Sequence, residues 1–289
     1  MDRQTQTNTI FGSWFDDTSY KHQLQEQFNN AQPFEHVIIP SFLQHDVAEQ
    51  IMREFPSPSS SSTLHDWKHY NNPLEQKYAL NQLIGLPRIQ SVFNELMSTS
   101  VLATLREITM INNLETDPHF HGAGLHAYPG DRGKLDIHLD YSLHPISGKE
   151  RRCNLIIYLN EDWKDEYGGN LQLYNEDRTH CTDMIAPSFN TAVLFRTSDL
   201  SYHGLPKPMN APSSMFRKSL AIYYVSEPRV KATQRAKAQF FPDRQMLQDL
   251  PTDIQERLLP LYDIRPYRLI QPSDLWDDWK RDGIKYGWW

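Results

Sequence analysis

Residues 134–141 read Lys-Leu-Asp-Ile-His-Leu-Asp-Tyr. Around His138 the side chains alternate with a period of two, as in a strand buried on one or both faces. Such a strand puts His138 and Asp140 on one side and Ile137, Leu139 and Tyr141 on the other. An imidazole and a carboxylate side by side are two thirds of a facial triad. That ligand set grips iron(II) from one side and leaves positions open on the other. The third ligand has to come from another strand, and His203 in SYHGLP is the best candidate.

Working outward, short apolar runs follow one another from about residue 120. They are CNLIIYLN, GGNLQLYN, TAVLFRT and KSLAIYYVSE, separated by Gly, Pro, Asn and Asp clusters. Many short strands with turn chemistry between them predict a β-sandwich or barrel. On the last of these strands Arg217, Ser219, Ala221 and Tyr223 share one face, and Lys218, Leu220, Ile222 and Tyr224 share the other. Arg217 with Ser219 can grip a carboxylate through a fork of N–H donors and a hydroxyl. Asn154, Ile156 and Tyr158 also share a face, and Tyr128 lies ten residues before His138. A buried phenol needs a hydrogen-bond partner, and a bound dicarboxylate would supply one to Tyr128 and Tyr158. Asn154 joins this set through the face it shares with Tyr158.

The remaining segments are less specific. Residues 1–33 are polar and read as an arm pinned by Trp14 and Phe15. Residues 34–119 read as a helical support region. It contains a short strand over 34–40, a helix over 43–55, a flexible PSPSSSST loop, and helical spacing over 74–110 interrupted by Pro87. Residues 120–229 form the β core, and 230–289 a helical, Trp-rich extension packed on it. The expected class is α+β. Of the 289 residues, 39% are hydrophobic and 12% aromatic, enough for a large core, and the formal net charge of −7 argues against a dedicated nucleic-acid partner. Two cysteines, both in or beside apolar strand-like runs, fit a reducing compartment. The first residues lack the basic-then-apolar order of a secretory signal, and no apolar run is long enough to span a bilayer. The expectation is a soluble cytoplasmic protein with no membrane partner. Arg151 and Arg152 read as solvated loop charges, with an anionic substrate as the other option.

In order along the chain, AYPGDRGKLDIHLDY, RRCNLIIYLNEDW, GGNLQLY, PSFNTAVLF, YHG and RKSLAIYY resemble the prolyl 4-hydroxylase branch of the 2-oxoglutarate and iron(II) dioxygenases. The HIF prolyl hydroxylases are especially similar around Tyr-Pro-Gly, His-x-Asp and Tyr-Leu-Asn-x-x-Trp. The resemblance covers about Gly124 to Val225. It implies a double-stranded β-helix, or jelly roll, buttressed by N-terminal helices. It implies Fe(II) on His138, Asp140 and His203, and 2-oxoglutarate on Arg217, helped by Tyr158 and Tyr128. O2 would be the second cosubstrate and ascorbate the candidate reductant. The implied reaction is hydroxylation of an unactivated C–H bond. A prolyl residue in a peptide or protein is the family default, and a free amino acid, sugar or other small metabolite is the alternative. The sequence departs from the pattern in a longer stretch between His203 and Arg217. Collagen-type relatives use a lysine where Arg217 stands, which keeps Lys218 as runner-up.

Two other readings compete. DPHFHGAGLH carries His119, His121 and His126, which with His203 could bind zinc in a non-redox, cupin-like protein. A degenerate scaffold would lack a ligand or the cosubstrate arginine, and neither is missing. The C-terminal Trp276, Trp279, Trp288 and Trp289 read as a helix docked by its aromatics, with a partner or membrane-surface anchor as the other option.

Overall fold

The computed structural model describes residues 9–58, 64–235, 238–241, 251–253, 255 and 256. Helix α1 (Thr18–Asn30), strand β1 (His36–Ile39) and helix α2 (His45–Glu54) come first. The hairpin β2 (Lys68–Asn72) and β3 (Glu75–Leu80) precedes helices α3 (Pro87–Leu96) and α4 (Thr99–Thr109). Then come β4 (Glu115–Thr116), β5 (Gly124–Pro129), β6 (Lys134–Leu139), β7 (Glu150–Tyr158), β8 (Leu171–Tyr174) and β9 (Cys181–Ile185). The series ends with β10 (Thr191–Arg196), β11 (His203–Leu205), β12 (Phe216–Ser226) and β13 (Gln239–Phe240). No helix among the described residues is long and apolar enough to cross a membrane.

The strands are joined antiparallel in the order β1-β10-β7-β12-β5-β3-β6-β11-β8-β9, with β13 on β6, β2 on β3 and β4 on β12. The sheet curls into two facing halves, the double-stranded β-helix expected from the sequence. Strand alternation separates two cores. Leu155, Ile157, Leu194, Leu220, Ile222 and Tyr224 face the helices. Tyr158, Val193 and Phe195 face inward, onto Leu171, Leu173 and Ile185 of the opposing half. The inner concavity is therefore walled by one side chain in two from each strand.

The helical layer forms for local reasons. Asp17 caps α1 by accepting from the Tyr20 N–H at 3.0 Å. Pro87 opens α3 rather than separating two helices, and its missing N–H costs nothing there. The Glu54 carboxylate at the end of α2 accepts from the backbone of Arg88 and Ile89, tying the two helices together.

Three expectations need correction. The polar arm is largely helix: Leu24 and Phe28, one turn apart, are buried as α1 packs on α4. Burying two such side chains is worth about 1.5–3 kcal/mol each, which outweighs the polar composition. Residues 75–80 are a strand, not a helix. They lie between β5 and β6 and pair with both, and this ladder overrides a mild helical pattern. Strands β1 and β3 thus make residues 34–119 part of the sheet as well as its support. The PSPSSSST loop is described only to Pro58, and the Trp-rich end lies outside the described residues.

Asn190 clamps the N-terminal segment to the core. Its amide accepts from Leu43 N at 2.9 Å and donates to Leu43 O at 2.8 Å from a left-handed backbone, φ 53°, that Asn tolerates. Asn190→Ala is predicted to lower the unfolding free energy by about 2 kcal/mol, because two buried backbone groups lose their partners. Urea denaturation measures it, and a loss below about 0.5 kcal/mol would contradict the clamp.

Candidate metal centre

His138, near the end of β6, pairs directly with His203, the first residue of β11. Gly204 makes this approach possible, since a Cβ there would lie 2.8 Å from the Leu135 carbonyl oxygen. Asp140 follows β6 on the same face. Its Oδ1 is 3.6 Å from His138 Nε2 and its Oδ2 is 3.5 Å from His203 Nε2. One ligating atom from each of the three residues lies within 4.8 Å of the others.

Both imidazoles are oriented from behind. His138 Nδ1 is 2.9 Å from the Asp136 carbonyl, and His203 Nδ1 is 2.8 Å from that of Ser201. A carbonyl only accepts, so each Nδ1 carries a proton and each Nε2 is the ring nitrogen turned inward. Phe240 stacks on His138, and Phe195 meets His203 edge-on at 4.8 Å. Burial, followed by the neighbouring His138, pushes His203 down to about 4, so its imidazole is neutral at ordinary pH.

Asp140 has the densest surroundings. Asn154 Nδ2 donates to its Oδ2 at 2.7 Å, and the Arg151 guanidinium is 3.3 Å from the same oxygen. Arg151 Nε also donates to Asn154 Oδ1 at 2.7 Å, and Arg235 Nε donates to the Asp140 backbone carbonyl at 2.6 Å. Burial by itself would raise this carboxyl, but Arg151 and the two histidines outweigh it and hold it well below the usual range. Asp140 is thus a fixed anion beside the two imidazoles. Two nitrogens and one carboxylate oxygen converging from one side fit a divalent first-row metal with open positions.

The same concave face carries Arg217, paired with Tyr128 across β5 and β12. It is 2% exposed, its Nε donates to the Gly169 carbonyl at 2.6 Å, and its guanidinium sits 4.8 Å from the Tyr158 ring centre and 5.2 Å from that of Tyr128. Among the described residues no carboxylate lies within 4.0 Å of it. The buried Tyr158 hydroxyl makes no complete hydrogen bond, although Arg217 is close. Burial raises this phenol and Arg217 opposes the rise. A buried cation without an acid, next to an orphaned phenol, fits one end of a dicarboxylate. Gly169 is required here, because a Cβ would meet Met209 Sδ at 2.5 Å and Arg217 Cδ at 3.1 Å. Ser219 is buried two residues on, opposite Tyr158. Lys218 turns to the other side, over the Phe55 ring. Asn154, expected near the cosubstrate, has its amide on Asp140 and Arg151 instead.

Arg151 and Arg152 are not loop charges. Both lie in β7 and are buried, Arg151 against Tyr223 and Tyr141, Arg152 donating to Ser226. Only the charge of RRC running straight into an apolar strand could have flagged Arg151. Nothing in the sequence pointed to Arg235. His119 and His121 pack on His144, which faces Asp117. His126 lies on β5. These three do not join His203, so the zinc reading lacks its ligand set.

Residues 123–225 match the model of the 2OG-Fe(II) oxygenase superfamily. No curated protein matches the chain. Among solved structures, the chain is similar to a prolyl hydroxylase from Trichoplax adhaerens in complex with a hypoxia-inducible-factor peptide fragment. That likeness has 17% identity, covers 74% of this chain and 94% of that one, and has a TM-score of 0.54. A Phytophthora capsici prolyl 4-hydroxylase is 20% identical over 87% of this chain and 78% of that one, with a TM-score of 0.50. At these identities the likeness is one of fold.

Asn154→Leu removes the donor that aims Asp140. It is predicted to weaken manganese(II) binding about tenfold, measured by calorimetry. An unchanged affinity would show that Arg151 alone suffices.

Proposed function

We propose, from the match of residues 123–225 to the 2OG-Fe(II) oxygenase superfamily model, that the chain is a 2-oxoglutarate-dependent hydroxylase acting on a prolyl residue of a peptide or protein. In this reading His138, Asp140 and His203 are the iron(II) ligands. Arg217 receives the distal carboxylate of 2-oxoglutarate, with Tyr158, Tyr128 and Ser219 around it. The observation that carries the proposal is the pairing of two incomplete sites on one concave face. Three ligating atoms lie within 4.8 Å of one another, and a buried arginine has no acid partner among the described residues.

Bound iron(II), with 2-oxoglutarate and O2, supplies the oxidation of an unactivated C–H bond, leaving succinate and CO2 as co-products. The chain's own part is positional. His138 and His203 present their Nε2 atoms because their Nδ1 protons are held by backbone carbonyls. Asn154 and Arg151 aim the Asp140 carboxylate. Arg217 supplies fixed charge to the cosubstrate, and the inward-facing Phe195, Val193 and Ile156 keep the cavity wall apolar. Tyr223 and Tyr141, layered with Arg151 next to Asp140, offer flat faces on which a pyrrolidine ring can pack. Two of the solved proteins of similar fold, those from Trichoplax adhaerens and Phytophthora capsici, are prolyl hydroxylases, which supports the same substrate class here.

Protein loaded anaerobically with iron(II) and then given 2-oxoglutarate, O2 and ascorbate is predicted to release succinate, and proline-containing peptides should stimulate that release. His138→Ala should abolish it. Arg217→Ala should raise the KM for 2-oxoglutarate about 10–100-fold, as expected for losing a charged hydrogen-bond pair. Lys218→Ala should leave that KM unchanged. If Lys218→Ala reproduces the defect and Arg217→Ala does not, the cosubstrate assignment is wrong.

A further inference from the structure

The hairpin β2–β3 pairs Lys68 with Ala79, Tyr70 with Lys77 and Asn72 with Glu75. Strand β3 then sets Ala79 opposite His126 and Glu75 opposite Leu135. Alternation puts Lys68, Tyr70, Lys77, His126 and Tyr128 on one face. Tyr128 pairs with Arg217, so this is the face of the candidate cosubstrate site. Tyr78, between Lys77 and Ala79, turns the other way, onto Phe216 and the helix-side core.

This wall concentrates positive charge in a chain whose formal net charge is −7. The ammonium groups of Lys68 and Lys77 lie 4.6 and 5.1 Å from the centre of the same Tyr70 ring. Lys77 is largely buried and bridged to Glu75 at 3.1 Å. Lys68 is exposed, and among the described residues no carboxylate lies within 4.0 Å of it. The surrounding cations act on the neighbouring histidines. Burial, then Lys77, with Arg151 and Arg217 adding to them, pushes His126 down to about 3. Burial and His144 lower His121, with Arg151 and Lys68 adding to this against Asp117. Cations from β2, β3, β7 and β12 therefore converge on one wall. Asp140 offsets Arg151 and Glu75 offsets Lys77; Arg217 is assigned to the cosubstrate in the reading above, which leaves the exposed Lys68 as the charge still unmatched. Such an arrangement draws in anions and favours a ligand group that supplies the missing negative charge.

We propose that the primary substrate carries a carboxylate that docks on the β2–β3 hairpin, against Lys68, Lys77 and the Tyr70 ring, with His126 beside it. This rests on the oxygenase reading above and sharpens its substrate class. The carboxylate can belong to an acidic residue of a peptide or to a free small acid. The shared chemistry is an anion held by two ammonium groups over an aromatic face.

The test uses matched pairs: proline-containing peptides with Glu or Gln flanking the proline, and free L-proline and L-glutamate with their amides. Each is added to the iron(II)-loaded full chain with 2-oxoglutarate and O2, and succinate is quantified. Each is also titrated by calorimetry into protein loaded with zinc(II) and 2-oxoglutarate, where no turnover occurs. The acidic members should bind and stimulate about tenfold better than their neutral partners, as expected for one charge-assisted contact. The series that responds identifies the source of the carboxylate. Lys68→Met, an exposed substitution, should reduce the acid-to-neutral ratio, Lys77→Met should reduce it further, and Lys68→Glu should invert it. Neutral members equal to or better than acidic ones, a panel in which no acidic member acts, or a ratio that survives all three substitutions would overturn the proposal. Failure of the oxygenase reading looks different, because wild-type protein would then neither bind 2-oxoglutarate nor release succinate without any added substrate.

Discussion

The pairing of His203 with His138 is the contact on which the rest of the site depends. It joins a three-residue strand to the strand that leads into Asp140, and it brings two imidazole rings to a centroid distance of 4.3 Å. Side chains alternate along a strand, so a slip of one residue would send His203 to the opposite face, where Tyr202 now packs with Phe241. Three features hold the register. Gly204 admits the close approach to the Leu135 and Asp136 carbonyls. Leu173 of β8 pairs with His203 from the other side. Phe240 of β13 pairs with His138 and stacks on its ring.

Two charges on the concave face, the half-buried Asp140 and the buried Arg217, are treated in opposite ways. Asp140 is surrounded by donors from Arg151 and Asn154, and its backbone by Arg235. Removing one member of such a buried pair costs about 3–5 kcal/mol, because the other charge is left stranded. Arg217 has a backbone carbonyl and two phenol rings but no acid among the described residues. The first arrangement is complete within the chain and fixes an anion for a cation to meet. In the proposed function the second is completed by a ligand carboxylate. The asymmetry separates a charge matched within the chain from one with no acid among the described residues, and the same desolvation cost applies to both.

The core strands and the face assignments were legible in the sequence because period-two alternation is local. It put His138 with Asp140, and Arg217 with Ser219, on shared faces without any knowledge of the fold. What failed was set by partners distant in the chain. Strand β3 carries a weak helical pattern, and only its insertion between β5 and β6 makes it a strand. Helix α1 looks like a polar arm until Leu24 and Phe28 find α4. Arg151 looks like a solvated charge until Asp140, Asn154 and two tyrosine rings enclose it. Arg235, 95 residues from Asp140, has no local signal at all. Buried cations were the blind spot, since their burial depends wholly on a partner that composition does not reveal.

The central claim is that His138, Asp140 and His203 share one divalent metal ion through the two Nε2 atoms and one carboxylate oxygen. Anomalous diffraction at the iron edge, from crystals grown anaerobically with iron(II), tests it most directly. The account predicts one peak per chain within bonding distance of those three atoms, with the Arg217 side of the ion free for further ligands. A peak among His119, His121 and His144, or none near His203 with iron demonstrably bound, would contradict it.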